Sequence, residues 1–278
     1  MADLLMRFPE GRSKVLTLSY DDGVEQDIRL MQIMLRHGLK GTFNLNSGQY
    51  AEEGAVFPEN TLFRPLSRNA ALKLYKNSGM EVAVHGVHHP FLEQLPRNLC
   101  TYEVLQDRIQ LERDYDVIVR GMAYPWGTYS DDVVETLRCC GIAYSRTVEH
   151  TEKFDLPADW LRLPSTCRHT NPRLMELAKR FVEGKVTYAP WMFYLWGHSY
   201  EFERDDNWSV IEEFAAYMGG REEIWYATNI QIYDYVTAYQ QLVFSMDRRR
   251  VYNPTAQPMF FETDKTIYRV GSGETICI

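Results

Sequence analysis

The chain has 278 residues, 45% of them hydrophobic and 24% charged, with a formal net charge of -8. That length holds one α/β barrel, which routinely runs to about 250 residues, or two average domains, and either buries a core that needs no disulfide or structural metal. An excess of 38 Asp and Glu over 30 Lys and Arg argues against a nucleic-acid-binding surface, no apolar run nears the ~20 residues of a membrane helix, and the five cysteines contain no CxxC.

Short β-rich runs alternate with amphipathic helical segments from residue 14 to about 244, which predicts a parallel α/β architecture. The first strand is expected at 15–20, followed by Ile28, Met31, Met34 and Leu35 at helical spacing before Gly38 stops the helix. A second strand at 41–46 leads through a loop with Pro58 and Pro65 to a helix capped by Ser67, and the third strand is 81–84. A long helix near 98–114 precedes a fourth strand at 120–124, and Ser130 with Asp131 and Asp132 opens the next helix. Strands at 143–148 and 161–167 come next, and Asn171-Pro172 then starts a helix. The seventh strand is 191–196, Ser209 and Glu212 form a capping-box pattern, and 224–228 is read as an eighth strand before a helix to about Phe244. The basic run Arg248-Arg249-Arg250 reads as a solvated helix end, and residues 251–278 as β-rich chain. The expected fold is a distorted (β/α) barrel of seven or eight units over 1–244 with a short C-terminal β-rich tail, 245–278, packed on it; an open doubly wound sheet is the runner-up. The N-terminus lacks the basic segment, apolar stretch and cleavage site of a signal peptide, so a cytoplasmic location is expected, with export by another route left open.

In barrels the chemistry sits at the C-terminal ends of the strands. Strand one ends in Asp21-Asp22-Gly23, strand three in His85-Gly86-Val87-His88-His89-Pro90, strand four in Tyr124-Pro125-Trp126-Gly127 and strand seven in Gly197-His198. Neutral imidazole is the commonest protein metal ligand, and His85 and His89 can face one point if the chain between them turns helically. A strand-one carboxylate would complete three protein ligands and leave a position for water, as in catalytic zinc sites.

These segments resemble the NodB-homology polysaccharide deacetylases of carbohydrate esterase family 4. Ser19-Tyr20-Asp21-Asp22-Gly23 is similar to the family's Thr-Phe-Asp-Asp-Gly, and His85 to Pro90 matches its His-Ser/Thr-x-x-His-Pro at both histidines and the proline. Its Arg-x-Pro-x-Gly is partly kept at Ala123 to Gly127, and its Leu-x-His falls on Trp196-Gly197-His198. The resemblance spans 14–198 and implies the same distorted barrel. It implies that Asp22, His85 and His89 bind a divalent metal, usually zinc, that Asp21 is the general base and His198 the general acid, and that the backbone N–H of Trp126 helps hold the oxyanion. The implied activity is metal-dependent removal of acetyl groups from an N-acetylated amino-sugar polysaccharide or oligosaccharide of the chitin or peptidoglycan kind, with an acetylated carbohydrate as the partner, neither nucleic acid nor membrane, and no statement on oligomeric state.

The two adjacent aspartates can take different roles because neighbouring side chains in extended chain point to opposite sides. His88 competes with His89 as ligand, but family spacing and Pro90 favour His89. The family's third-motif arginine is Ala123 here, so Arg146, at the end of strand five, is the candidate partner of Asp21. The fourth-motif aspartate and tryptophan have no secure counterpart; Asp159-Trp160 has the letters, and Arg168-His169 lies nearer the expected place. Tyr124, Trp196, Trp225 and Asn229 are the candidate substrate contacts, since aromatic rings with polar tips suit sugar faces. Three rivals stay open: an O-acetyl esterase of the xylan type, a non-catalytic carbohydrate-binding relative, and a non-haem iron oxygenase with the same ligand types.

Overall fold

A computed structural model describes residues 4–278. Its central sheet is built from β2 (Lys14–Asp21), β3 (Gly41–Leu45), β4 (Glu81–Val84), β5 (Gly121–Ala123), β6 (Tyr144–His150), β7 (Leu163–Ser165), β8 (Cys167–Arg168) and β9 (Trp191–Gly197), following the short N-terminal β1 (Leu5–Arg7). The order is β7-β6-β5-β4-β3-β2-β9-β8, and every pairing is parallel. The two ends of that order are consecutive pieces of one segment. Leu163 pairs with Arg146 and Cys167 with Leu195, while the Thr166 N–H donates to the Tyr194 carbonyl at 2.9 Å. The single predicted strand at 161–167 therefore serves both neighbours, bending at Thr166, and the sheet curls round on itself; its first residues form a 3-10 turn, Trp160–Arg162.

Helices α1 (Asp27–Arg36), α2 (Arg68–Tyr75), α3 (Arg97–Tyr115), α4 (Asp131–Cys139), α5 (Leu174–Glu183), α6 (Tyr200–Arg204) and α7 (Trp208–Met218) cover the outside. Strand β2 shows how the sequence sorts itself. Leu16, Leu18 and Tyr20 face the helices in the main apolar cluster, and on the alternate face Thr17 and Ser19 meet the polar side chains of Asn229 and Asn44 inside the ring. Asp21 continues that inner face and emerges at its end. Ser67 and Ser130 cap α2 and α4 as expected, each accepting from the backbone N–H three residues on.

The eighth unit departs from a regular barrel. Strand β10 (Ile224–Tyr226) pairs with Lys14, Val15 and Leu16, the N-terminal half of β2, whereas β3 pairs with Leu18 to Asp21. It widens only the lower rim, and α8 (Asn229–Tyr239), capped by the Thr228–Gln231 capping box, closes the floor. Beyond it, β11 (Val243–Phe244), β12 (Arg250–Tyr252) and β15 (Thr275–Cys277) form one antiparallel sheet, and β13 (Met259–Thr263) pairs with β14 (Thr266–Val270) and with β1. Strand β1 has no counterpart in the sequence reading; Phe8, Met259, Phe261 and Val270 share a second apolar cluster with Tyr235 of α8. Arg248 and Arg249 lie in the turn of the β11–β12 hairpin and Arg250 begins β12, rather than ending a helix. No helix among the described residues is long and apolar enough to cross a membrane.

Candidate active site

A cleft of about 590 Å³ opens at the C-terminal ends of the strands, lined by Asp21, Asp22, His85, His89, Arg146 and His198 among others. Asp21 is 2% exposed and accepts from Arg146 Nη2 and, at 2.8 Å, from Asn44 Nδ2. Burial works against its charge, but Arg146, then His85 and His198, overcome that and hold Asp21 at about 2. Arg146, itself 1% exposed, thus stands where the sequence reading looked for a partner of the aspartate.

Asp22 reaches the same cleft by a route the sequence reading did not foresee. Alternation would send it to the opposite side, but its φ of 80° and that of 65° at Gly23 swing the chain out of β2. Its Oδ1 then lies 3.7 Å from His85 Nε2 and 3.8 Å from His89 Nε2. The histidine segment is likewise not helical: positive φ at Gly86 (77°) and His89 (54°) folds it back, bringing the two Nε2 atoms to 3.1 Å. His85 Nδ1 is 2.8 Å from the Ala123 carbonyl, which can only accept, so Nδ1 carries the hydrogen and Nε2 a lone pair. Burial pulls His85 down to about 3, keeping it neutral, and pushes Asp22 up to about 6. Ligand-type atoms of Asp22, His85 and His89 all lie within 4.8 Å of one another. His88 is not among them: its Nδ1 sits 2.7 Å from Glu103 Oε1 and its side chain is 62% exposed.

Opposite, His198 Nε2 lies 3.7 Å from Asp21 Oδ2 and 4.0 Å from Asp22 Oδ2. Its Nδ1 is 3.5 Å from Glu201 Oε2 and 3.1 Å from Arg168 Nη2. Burial disfavours the imidazolium, yet Glu201 and the two aspartates outweigh it and raise His198 above its ordinary value. Glu201 went unnoticed in the sequence. The available signal was its i+3 position after His198, which one turn of α6 converts into proximity. Glu201 is itself buried, bonded by Arg168 at 2.6 Å and 3.2 Å from His169 Nε2, so Arg168-His169 does sit beside the acid candidate, while Asp159 instead pairs with Arg162. The imidazole of His169 fits only because residue 197 is glycine: a Cβ there would lie 2.1 Å from His169 Nδ1.

Trp196 lines the cleft with Arg146 and Arg168 over its ring, at 4.2 and 5.0 Å from the centroid. Tyr124 also lines it, its hydroxyl spent on the Leu161 carbonyl. Trp126 stands in the tight turn after β5 with φ 59°; its exposed indole stacks on Phe91 and donates to the His89 carbonyl at 2.9 Å. Trp225 and Asn229, expected at the substrate, lie elsewhere. Because β10 pairs low on β2, Tyr226 is level with Leu16, five residues or roughly 16 Å below Asp21 at ~3.3 Å per residue. Trp225 packs on Phe8 and Tyr235, and Asn229 is buried in the floor between Thr17 and Tyr194. Trp225→Ala is therefore expected to cost roughly 1.5–3 kcal/mol of stability in urea unfolding while leaving kcat unchanged.

The polysaccharide deacetylase family model matches residues 9–145. A Mycobacterium smegmatis protein classed as a polysaccharide deacetylase superimposes with a TM-score of 0.58 at 16% identity, over 84% of this chain and 93% of that one. A family 4 carbohydrate esterase from Streptomyces lividans, solved with acetate, gives 0.50 at 15% identity, over 77% and 91%. Of the Streptococcus pyogenes deacetylase PplD, also solved with acetate, the match spans 61%, with 52% of this chain, a TM-score of 0.46 and 21% identity. No curated protein matches the sequence.

Proposed function

We propose, from the premise that this chain belongs to the polysaccharide deacetylase family through residues 9–145 and is a hydrolase, that it removes acetyl groups from an N-acetylated amino-sugar poly- or oligosaccharide of the chitin or peptidoglycan kind in a metal-dependent reaction. The observation that supports this most is the facing arrangement of two His–carboxylate groups across one cleft: Asp22 with His85 and His89 on one side, Asp21 with Arg146 and His198 with Glu201 on the other.

The first group fits a divalent metal. The Nε2 atoms of His85 and His89, 3.1 Å apart beside a carboxylate whose burial disfavours its charge, form a two-nitrogen, one-oxygen donor set, which suits zinc. A metal held there would acidify water and polarise an acetyl carbonyl. The remaining work falls to the chain's own groups. Asp21, kept ionised by Arg146, accepts the proton of the attacking water. His198, held protonated by Glu201 and the aspartates, donates to the departing nitrogen. The Trp126 backbone N–H is assigned to the developing oxyanion.

Acetate release across N- and O-acetylated glycans, with and without chelator, tests the reading. Release from N-acetylated chains that stops with chelator is expected; release from O-acetyl xylan alone would make the protein an esterase, and a requirement for oxygen would remove hydrolysis altogether. Asp21→Asn should lower kcat by about 10²–10⁴ without loss of bound metal, and an unchanged kcat overturns its assignment as base.

A further inference from the structure

The cleft continues past the groups assigned to catalysis. Behind Trp196 lies a second hollow of about 430 Å³, lined by His150, Thr170, Asn171 and Pro172. Val148, Arg168 and Trp196 line both spaces, so the two form one trench divided by an indole. None of the residues lining the second hollow is acidic, in a chain with 38 acidic against 30 basic side chains. The acids bonded to its lining residues are already engaged. Glu201 is bonded by Arg168, and Glu152 takes Asn171 Nδ2 at 2.9 Å and Arg173 Nη1 at 2.6 Å.

The dividing wall carries donors with nothing to donate to. Trp196 Nε1 and Arg168 Nε are buried without a partner and out of a ligand's reach, so recognition falls to the accessible part of the Arg168 side chain. Arg168 spends Nη2 on Glu201, yet 35% of its side chain remains accessible. A guanidinium lying on an aromatic face, with an imidazole, a hydroxyl and an amide around it, recognises a planar carboxylate on a polar ring.

We propose that the second hollow holds the sugar next to the one being deacetylated, and that this neighbour carries a carboxylate. The proposal rests on the deacetylase reading for the word "next", but the hollow binds its ligand whether or not acetate is released. It also reverses what net charge alone suggests: a chain of charge -8 presents an acid-free hollow to an anionic sugar.

The test uses the full chain and two probes, a tetrasaccharide of alternating glucuronic acid and N-acetylglucosamine, and tetra-N-acetylchitotetraose. Direct binding by calorimetry is expected to be at least tenfold tighter for the acidic probe at low salt, with the preference shrinking as salt rises. Thr170→Trp, which fills the hollow from an exposed position, and His150→Glu, which puts an anion in it, should each abolish the preference. Neither should change acetate release from monomeric N-acetylglucosamine or binding of the neutral tetrasaccharide by more than twofold. Equal binding of the two probes by the unmodified protein, or a preference that survives both substitutions, overturns the proposal. Acetate release from neither probe overturns the deacetylase reading instead, and the binding comparison still decides the hollow.

Discussion

On the proposed reading, His89→Ala is expected to abolish metal binding and acetate release, whereas His88→Ala leaves both within a few-fold of the unmodified chain. The two residues are neighbours in sequence and opposite in geometry. The φ of 54° at His89 turns its Nε2 to 3.1 Å from His85 Nε2, while His88 points outward onto Glu103. Loss of one of three ligands should weaken metal affinity beyond the roughly 10–100-fold that follows when a group merely orienting a ligand is removed. Metal analysis of the purified variants, with zinc titration of the metal-free forms, reads this directly. The reverse result, metal lost with His88 and kept without His89, would displace the cluster from the position argued above.

Arg146→Met should be the most damaging single change away from the candidate ligands. Its guanidinium is the main counter-charge of Asp21, and both side chains are buried, at 1% and 2% exposure. Removing one partner of a buried pair leaves the other uncompensated, at a cost of about 3–5 kcal/mol. The pH dependence carries the sign. In the unmodified protein Asp21 is lowered to about 2, so its contribution is present above the ordinary carboxylate range and is lost as pH falls through about 2. Without Arg146 burial dominates and raises Asp21, so the variant should lose stability as pH rises from 5 to 7. Urea midpoints at those two pH values measure it; a variant as stable as its parent at pH 7 would mean that the pair contributes nothing. Activity should fall with it by at least about 10²-fold, because a protonated Asp21 cannot accept a proton.

Much of the molecule was legible because it is local. The eight-residue run of β2 is buried throughout, and its alternation between helix layer and ring interior follows from side chains in a strand pointing to opposite faces. That same alternation puts Asp21 at the top of the inner face. The strand-end rule then collects Asp22, His85, His89 and His198 into one cleft. It fails at Trp225 and Asn229 for a physical reason: the rule assumes that all strands end at one level, and β10 ends level with Leu16. The expected alternation of the two aspartates and the expected helical turn between His85 and His89 fail for another. Left-handed backbone at Asp22, Gly86 and His89 is stabilised by surrounding contacts, such as the Asn46 side chain on the His85 and Gly86 carbonyls at 2.6 and 2.7 Å, and of the three only Gly86 has a strong preference for it.

The sequence by itself determined the strands of the central sheet, the order in which they occur and the side chains that carry chemistry, since each depends on residues within a few positions of one another. Tertiary structure decided who partners whom. Arg146 meets Asp21 across 125 residues, and Arg168 meets His198 across 30, because one bent segment, Leu163 to Arg168, pairs with strands on both sides and draws the sheet into a ring. Closure of that kind depends on the register of pairings far apart in the chain. Composition argued against a surface for polyanionic nucleic acid, yet the hollow beside Trp196 is lined without a single acid, because charge is distributed by the fold and only summed by the sequence.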